Sequence, residues 1–410
     1  MSAKQVLMLV NTQAYDDPRV MNEAQSLSQS GYQVRVIGAA RLPGSPTRKT
    51  ISGVEFVLTP MVSTKHPLRL LAAFWQLLRA DVGEVTLQPP SRQTTLISMI
   101  FFLLWSLRLG WRLRADVVHS HDLSPLPAAW LLARLKRARL IYDAHESAPD
   151  FYGGAKGRWM GRLERAFIGK VDAVITVGQR LAKALEVRGA RRVLIIGNWK
   201  RLADFEVDAE RLNAERARLN QSQYALTIAY MGTLDSSREI EPLLQATLTT
   251  PHVLLVIGGA GAVEERVRQA AARASNIQWL GWVNSRDIPL YTQLADVVYY
   301  CLNVEETHDQ SIAGNNYYST PNKLFEAFAA GKALIARRGV GEIGEILEAH
   351  HAAVLLDQVT PEALQVAFDQ LCETSYLKEL QQASLQAREL YHWGAAEQRL
   401  LNLYDELTRS

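Results

Sequence analysis

A short segment at 319–327, STPNKLFEA, combines residue types that suit the binding of a phosphate group. Thr320 is predicted to be the N-cap of a helix and Pro321 its first residue, where the missing N–H of proline costs nothing. The three amides that follow would then be unpaired donors at the positive end of a helix, beside the ammonium group of Lys323. The segment therefore predicts a phosphate site.

Glu326 lies one turn further along this predicted helix, where its carboxylate could accept hydrogen bonds from two hydroxyls, as on a ribose. A phosphate site followed by a hydroxyl acceptor favours a nucleoside diphosphate as ligand. The alternative is an ordinary capped helix, with Lys323 and Glu326 as an exposed i,i+3 pair. The segment alone does not decide between a ligand site and an ordinary helix, so the decision depends on the rest of the chain.

The composition is that of a globular chain with room for two domains. The 410 residues are 21% charged and 48% hydrophobic. The two cysteines, Cys301 and Cys372, form no framework, which fits a reducing compartment. No Cys/His cluster occurs among the nine histidines, so we predict no metal site.

The start of the chain runs directly into an apolar strand at 6–10, without the longer apolar core of a signal peptide. The longest apolar run, at 96–107, is shorter than the roughly 20 residues that a bilayer-spanning helix needs. We therefore expect a cytoplasmic protein.

The net charge of +3 conceals two halves of opposite sign. Residues 1–200 contain 28 Lys and Arg against 14 Asp and Glu, whereas residues 201–410 contain 17 against 28. A basic half could meet nucleic acid, an anionic membrane or a phosphorylated substrate. The sequence contains no zinc finger, ribonucleoprotein motif or basic heptad, so nucleic acid is not a predicted partner.

Strands and helices alternate along both halves. Strands are predicted at 6–10, 34–37, 51–58, 117–119, 140–142, 173–177 and 193–196, with helices at 19–30, 68–79, 96–113, 125–135 and 159–168. After a polar helical segment at 204–222, strands follow at 226–231, 253–257, 277–280, 297–300 and 333–336, with helices at 263–274, 288–294 and 321–330 and closing helices from 361 onward. This alternation predicts two α/β domains, each a doubly wound parallel sheet, joined near 198–203. Ligands of such sheets bind beyond the carboxyl ends of the strands, and two facing sheets would hold a ligand between them.

Several short motifs follow one another in a characteristic order. They are YDDPRV at 15–20 with NEA at 22–24, HSHD at 119–122, YDAHE at 142–146, YMGTL at 230–234 with Arg238, IGGAG at 257–261, LGWV at 280–283, and the segment that opens this section. In this order and spacing the chain resembles the retaining glycosyltransferases of family four, glycosyl transferases group 1, over nearly its whole length. The resemblance implies the GT-B fold, in which two Rossmann-like domains face a central cleft. It also implies an acceptor domain at 1–200, a nucleotide-sugar donor domain at 201–389, and a last helix at about 390–410 that crosses back onto the first domain.

Gly232 and Arg238 are the first of the residues to which the resemblance gives a role in donor binding. A glycine at a strand end lets a diphosphate approach the backbone, and a guanidinium can bind it with two hydrogen bonds. The alternative for Arg238 is a solvated surface arginine. Family members usually carry a basic residue directly after the glycine, and Thr233 replaces it here.

The remaining donor contacts rest on the resemblance and on weaker patterns. The glycine-rich turn that contains Gly259 is explained equally well by packing. Trp282 and Val283 follow a strand end where the family holds the base, although a tryptophan there could belong to the core. The predicted donor-binding residues are Gly232, Arg238, Gly259, Trp282, Val283, Asn322, Lys323, Leu324 and Glu326.

His145 matches the histidine with which the family contacts the sugar near the reacting carbon, and the alternative is a satisfied core histidine. Catalytic roles are predicted for His145, Arg238 and Lys323. Acceptor-binding residues are predicted at Asp16, Arg19, His121 and Asp122, each beyond a strand end. Asp122 could instead cap the next helix.

One acidic residue of the family pattern is missing. The first glutamate of the family's pair would stand eight residues before Glu326, where this chain has Tyr318. Its role would pass to backbone amides or to a neighbour, with Asn315 and Asn316 as candidates by position. The identity of the donor sugar is therefore not predicted.

The apolar segment 97–113 ends in arginines, and a second basic cluster follows at 134–139. Such a helix could lie in an anionic membrane surface, or it could pack against the sheet, which is the better reading of the helix alone. Together with the basic first half, the pattern predicts peripheral contact with the inner face of the cytoplasmic membrane.

The resemblance as a whole implies transfer of a sugar, with retention, from a UDP- or GDP-sugar to a hydroxyl of a glycan or lipid-linked acceptor. It implies that the reaction needs no cofactor and no metal ion. It also implies a role in bacterial surface polysaccharide or glycoconjugate biosynthesis. The alternatives are an epimerase or hydrolase of the same fold, or a non-catalytic GT-B partner protein. Thr233 and Tyr318 favour the last, whereas His145, Arg238 and Lys323 argue against it.

Overall fold

The computed structural model describes residues 3–40, 48–59, 96–303, 317–318 and 320–409. The chain divides into two compact units. Unit 1 consists of Met1–Ile196 and Glu397–Ser410, and unit 2 of Gly197–Ala396. Each unit contains an α/β sheet of its own, as the strand-helix alternation predicted.

The described strands of unit 1 form one eight-stranded sheet in the order β3-β4-β2-β1-β5-β6-β7-β8. They are β1 (Gln5–Val10), β2 (Gln33–Ala39), β3 (Arg48–Ile51), β4 (Val54–Thr59), β5 (Val117–His121), β6 (Arg139–Ala144), β7 (Ala173–Thr176) and β8 (Val193–Ile195). All neighbouring strands are parallel except β3 and β4. The central strands are buried on both faces, which explains their continuous runs of Val, Ile and Leu.

The strand predicted at 51–58 is confirmed only from Val54 onward, as β4, because the chain turns before that residue. The chain turns at Ser52 and Gly53, which both have positive φ values of 51° and 79°, and β3 pairs antiparallel with β4. A turn with two positive φ values matches the twist of a two-residue hairpin. The short polar β3 closes one edge of the sheet.

The described helices of unit 1 alternate with most of its strands along the chain. They are α1 (Pro18–Gln29), α2 (Leu96–Arg112), α3 (Leu126–Lys136), α4 (Ala148–Tyr152), α5 (Gly154–Phe167) and α6 (Gln179–Val187). Asp17 caps α1 by accepting from the amides of Arg19 and Val20, and Pro18 occupies the first position. The helix predicted at 68–79 lies outside the described residues.

Helix α2 is mainly a packing element. Phe101, Phe102 and Trp105 are buried, whereas Ile100 and Trp111 are 48% and 63% exposed. The alternative that this apolar helix packs against the sheet therefore describes most of its length. Among the residues that the structure describes, every helix is too short or too polar to cross a bilayer.

The described strands of unit 2 form a six-stranded parallel sheet in the order β11-β10-β9-β12-β13-β14. The strands are β9 (Leu226–Met231), β10 (Val253–Gly258), β11 (Ile277–Trp279), β12 (Val297–Tyr300), β13 (Ala333–Arg337) and β14 (Ala353–Leu356). The helices are α7 (Ala209–Arg218), α8 (Ile240–Leu248), α9 (Glu264–Arg273), α10 (Ile288–Leu294), α11 (Asn322–Ala330), α12 (Gly341–His350), α13 (Pro361–Cys372), α14 (Thr374–Arg388) and α15 (Trp393–Arg409). The last helix begins in unit 2, and its residues from Glu397 onward belong to unit 1.

Candidate functional site

Three neighbouring loops meet at the carboxyl edge of the unit 2 sheet. The amide of Gly232 donates to the carbonyl of Gly258 at 2.9 Å, and the amide of Gly259 donates to the carbonyl of Gly281 at 2.8 Å. A Cβ atom added to Gly259 would lie 1.8 Å from the Gly232 carbonyl oxygen, so this position has room only for glycine. Backbone packing accounts for Gly259, and its donor contact stays a prediction.

Lys323 reaches from the first turn of α11 to Gly232. A Cβ atom at Gly232 would lie 2.4 Å from the Lys323 Nζ atom, so the bare glycine leaves the space that the ammonium occupies. The same Nζ lies 4.9 Å from the ring centre of Tyr230 and 5.6 Å from that of Tyr300. Two aromatic faces and a glycine backbone thus hold the cation in place.

Arg238 lies against the same tyrosine as Lys323. It ends a short 3-10 turn, Ser236–Arg238, before α8. One of its terminal nitrogens donates to the Tyr300 hydroxyl at 3.2 Å, and its Nε lies 3.8 Å from a carboxylate oxygen of Asp235. The structure therefore brings two predicted site residues together through Tyr300, which sequence reasoning missed. Its place at the carboxyl end of β12 was the available signal.

Burial lowers the pKa of Lys323 to about 8, with the charge of Arg238 adding to the effect and Glu326 opposing it. Burial therefore disfavours the charged ammonium form of Lys323, and a bound anion would stabilise that form. We call Gly232, Arg238 and Lys323 the cation site.

Helix α11 begins one residue later than predicted. Pro321 is its N-cap, with an extended ψ of 153°, and no side chain caps the helix, so Thr320 is not the N-cap. The amide of Leu324 donates to the carbonyl of Pro321 at 3.3 Å. The donors at the start of the helix are therefore the amides of Asn322 and Lys323 rather than the three that were predicted.

Glu326 is 9% exposed and has a partner that the sequence did not indicate. The Lys200 Nζ atom lies 3.3 Å from its Oε1 and donates to the Asn322 Oδ1 at 2.7 Å. The alternative of an exposed pair between Lys323 and Glu326 does not describe this carboxylate, which is buried and pairs with Lys200. The residues are far apart in sequence, so no local pattern predicts the contact.

Trp282 and Val283 take different positions after β11. Trp282 is 78% exposed, so it is not a core residue, whereas Val283 packs partly buried near Gly258. An exposed indole offers a face for stacking. Their contact with a base stays a prediction.

In unit 1, a buried carboxylate gathers three basic side chains. Asp143, at the end of β6, accepts two hydrogen bonds of 2.7 Å from Arg19 and one of 2.9 Å from the His145 Nε2. The Nδ1 of His121 lies 3.2 Å from the same carboxylate. Arg19 also donates to the Ile196 carbonyl at 2.6 Å. Arg19 and His121 are therefore beneath the surface, and their predicted acceptor contact stays a prediction.

His145 carries a positive charge at neutral pH. Burial alone would lower its pKa, but the charges of Asp122 and Asp143 and the hydrogen bond to Asp143 outweigh it and raise the pKa to about 10. Its Nδ1 lies 3.8 Å from a carboxylate oxygen of Asp122. Asp122 adopts a positive φ of 65° and lies before Pro125, the N-cap of α3, so it does not cap that helix. Strained backbone of this kind is common at functional sites.

The described residues contain one group with the chemistry of metal ligands, formed by Glu23, His119, His121 and Asp143 within 4.8 Å of one another. A guanidinium already serves as its cation, because Arg19 binds both oxygens of Asp143. Burial and the charge of Asp143 raise the pKa of Glu23 to about 8, so its proton reduces the negative charge of the group. We call these residues with Arg19 the buried ion network.

A small pocket opens at the carboxyl edge of the unit 1 sheet, with a volume of about 110 Å³. Asp122, Glu146, Phe151 and Tyr152 are among its lining residues. Burial and the charge of Asp122 raise the pKa of Glu146 to about 7. Asp16 is exposed at the end of the short turn that follows β1, and its carboxylate accepts a hydrogen bond from the Gln13 side chain at 2.7 Å. The pocket thus combines carboxylates with aromatic faces.

Two family models match the chain. The model described as a glycosyl transferase 4-like domain matches residues 17–199, and the model described as glycosyl transferases group 1 matches residues 225–374. By sequence the chain matches no curated protein.

Solved structures match the whole chain in fold. Sucrose-phosphate synthase from Thermosynechococcus elongatus has a TM-score of 0.73 at 16% identity, covering 98% of this chain and 99% of that one. HepE of Anabaena, solved with UDP-glucose, has a TM-score of 0.68 at 13% identity over 98% and 99%. An α,α-trehalose-phosphate synthase (UDP-forming) from Burkholderia vietnamiensis has a TM-score of 0.67 at 13% identity over 99% and 100%.

The family models agree with the resemblance that the motifs indicated, and the structural matches agree with its two parallel-sheet α/β domains. The protein is a glycosyltransferase. The chain belongs to the family-four glycosyl transferases group 1 and has the GT-B fold.

Proposed function

We propose that the protein transfers a sugar from a UDP- or GDP-sugar and that the cation site binds the diphosphate. The observation that carries this proposal is the convergence of Arg238 and Lys323 on Tyr300, beside the backbone of Gly232. Two fixed cations at the amino-terminal end of α11 are suited to an anion. One structural relative, HepE, is solved with UDP-glucose and another is a UDP-forming synthase, which supports the uridine nucleotide in particular.

The leaving diphosphate gains negative charge as its bond to the anomeric carbon breaks. Arg238, Lys323 and the first amides of α11 would stabilise that charge without reorganisation. In the proposed retaining reaction the acceptor oxygen attacks the face that the diphosphate leaves, and its proton passes to the leaving phosphate oxygen. This chemistry requires neither a cofactor nor a metal ion.

For the acceptor we propose a hydroxyl-rich glycan or lipid-linked sugar at the unit 1 pocket. Asp122 and Glu146 can accept hydrogen bonds from sugar hydroxyls, and Phe151 and Tyr152 offer apolar faces to a sugar ring. The charged His145 lies 3.8 Å from Asp122 and is 17% exposed, so it can contact a bound sugar. We propose a role in bacterial surface polysaccharide or glycoconjugate biosynthesis.

A ligand screen tests the donor proposal directly. We expect thermal stabilisation of the protein by UDP or GDP and their sugars, because a ligand of the native state raises stability by mass action. Stabilisation should be absent with ADP and unchanged by a chelator. With the donor identified, release of the nucleoside diphosphate measures turnover, and NMR of the product's anomeric proton reports the configuration.

Absence of stabilisation by any of these nucleotides would contradict the donor proposal. An inverted product would contradict retention alone, and loss of turnover with the chelator would contradict metal independence alone.

We also propose that unit 1 contacts an anionic membrane through one surface at the amino-terminal edge of its sheet. The ends of α2 and α3 meet there, since the Lys136 Nζ donates to the Trp111 carbonyl at 3.0 Å. Trp111, Leu131 and Leu135 are exposed by 63%, 37% and 52%. This surface lies at the opposite edge of the sheet from His145.

An open cavity of about 610 Å³ adjoins this surface, and most of its charged lining residues are basic. They are Arg134, Arg137, Arg139 and Lys170, with Asp172 as the acidic member. Two of them lie over the indole of Trp130, at 5.6 Å for Arg134 and 5.3 Å for Lys170. Basic and apolar groups side by side suit an anionic lipid surface.

Loss of Arg134 and Arg137 together is expected to weaken binding to vesicles that contain phosphatidylglycerol by about 2 kcal/mol, or roughly thirtyfold. Co-sedimentation of the Arg134→Gln, Arg137→Gln variant measures this. The pair Lys183→Gln and Arg191→Gln, exposed elsewhere in unit 1, removes the same charge and should bind as the wild type does. Equal losses in both variants would contradict a defined contact surface.

A further inference from the structure

The backbone of Lys200 is hydrogen-bonded to the start of helix α15 in unit 2. Its carbonyl accepts from the amide of Trp393 at 2.8 Å. The neighbouring Trp199 is buried, with its ring 6.4 Å from that of Phe325 on α11 and 5.6 Å from that of Tyr391. The segment that carries Lys200 is therefore fixed on α11.

The side chain of Lys200 ends at the first turn of α11. Its ammonium donates to the Asn322 Oδ1 at 2.7 Å and lies 3.3 Å from the Glu326 Oε1. The Lys200 side chain is 20% exposed and that of Glu326 is 11% exposed. Asn322 and Glu326 are two of the predicted donor-binding residues, and Lys200 holds both.

The charges around the cation site show what Lys200 adds. The positive charges of Arg238 and Lys323 are offset by the nearby carboxylates of Asp235 and Glu326. A nucleoside diphosphate would therefore meet a site without net positive charge from these four residues. Lys200 neutralises Glu326, so the positive charges of Arg238 and Lys323 exceed the one remaining negative charge, that of Asp235, by one.

We infer that Lys200 is a donor-positioning residue, which holds Glu326 beside the first turn of α11 and contributes the positive charge that Thr233 does not supply. This inference rests on the proposed binding of a nucleoside diphosphate at the cation site. It predicts that Lys200 acts on the phosphate groups more than on the nucleoside.

The opposite role would be a latch, in which Lys200 occupies Glu326 and competes with the ribose hydroxyls. If Lys200 were a latch, its removal would increase the affinity for the nucleoside and the nucleotide alike. The charges favour the positioning role. Without Lys200, the positive charges of Arg238 and Lys323 are already offset by Asp235 and Glu326, so they cannot also neutralise the negative charge of a diphosphate.

Isothermal titration of Lys200→Met with UDP, UMP and uridine, or with the guanosine series if GDP is the ligand, separates these roles. We expect Kd for the diphosphate to rise by about 10 to 100-fold, as for a lost charge-assisted contact. The monophosphate should lose less affinity and the nucleoside least. Lys200→Arg should restore most of the affinity, and Lys378→Met, at an exposed lysine of the same unit, should change none of it.

Unchanged or tighter binding of the diphosphate by Lys200→Met would overturn the inference while leaving the proposed function intact. Equal losses for diphosphate, monophosphate and nucleoside would also overturn it, because they would indicate a structural role. If the wild type binds none of these ligands, the proposed function itself fails, and this result is distinct from the others.

Discussion

Replacing Lys323 with methionine is expected to lower turnover by about 10²–10³-fold, because the leaving diphosphate loses one preorganised cation. The protein should remain folded, since methionine fills the same space between Tyr230 and Tyr300 without a charge to desolvate. Arg238→Met is expected to lower turnover by a similar factor. The measurement is release of the nucleoside diphosphate from the donor, with thermal unfolding as the check on folding.

Lys332→Met provides the matched control. Lys332 is another largely buried lysine of unit 2 whose pKa burial lowers, but it lies at the other end of α11 from the cation site. Its replacement should leave turnover close to the wild-type value. Full turnover in both Lys323→Met and Arg238→Met would contradict the proposed mechanism.

The same lysine predicts the pH dependence of donor binding. Because the pKa of Lys323 is about 8 in the unliganded protein, affinity for the diphosphate should fall as the pH rises through this value. In Lys323→Met this decline should disappear, leaving a weaker affinity that does not change across the same range.

Asp143→Asn is expected to lower the free energy of unfolding by about 3–5 kcal/mol, since it leaves the buried guanidinium of Arg19 without its carboxylate. The loss extends to His121 and His145, which contact the same oxygen atom of Asp143. Urea denaturation at neutral pH measures the effect. Glu406→Gln removes a carboxylate from an exposed ion pair with Arg192 in the same unit and should cost at most about 1 kcal/mol.

The charge of His145 gives this prediction a second readout. Its raised pKa contributes stability that is fully present below the unfolded-state pKa of about 6.5 and is lost as the pH rises through about 10. In Asp143→Asn the pKa of His145 should fall, because its hydrogen-bonded carboxylate is gone. NMR titration of the histidine ring protons would show this, and an unchanged pKa would contradict the role of Asp143.

Elements with a strong local pattern were predicted from the sequence. Helix α10 and strand β12 have the predicted bounds, because apolar periodicity and flanking residues act over a few positions. The strand predicted at 51–58 covers most of β4 and only the last residue of β3, because the polar β3 has no apolar pattern of its own, and only the pairing of the two strands reveals the turn at Gly53. Helix α12 was not predicted, since its glycines, including Gly344, weaken the helical pattern.

The sequence by itself determined the family, the succession of strands and helices, and the identity of Arg238, Lys323 and Glu326 as candidates. These follow from residue type and short spacing, which are local properties. Only the tertiary structure decided that Tyr300 holds both cations, that Lys200 holds Glu326, and that Arg19 is buried on Asp143. Such contacts join residues that lie as many as 126 positions apart, as Lys200 and Glu326 do, and their formation depends on how each sheet and its helices pack. The charge of His145 also depends on that packing, because burial and neighbouring carboxylates together set its pKa.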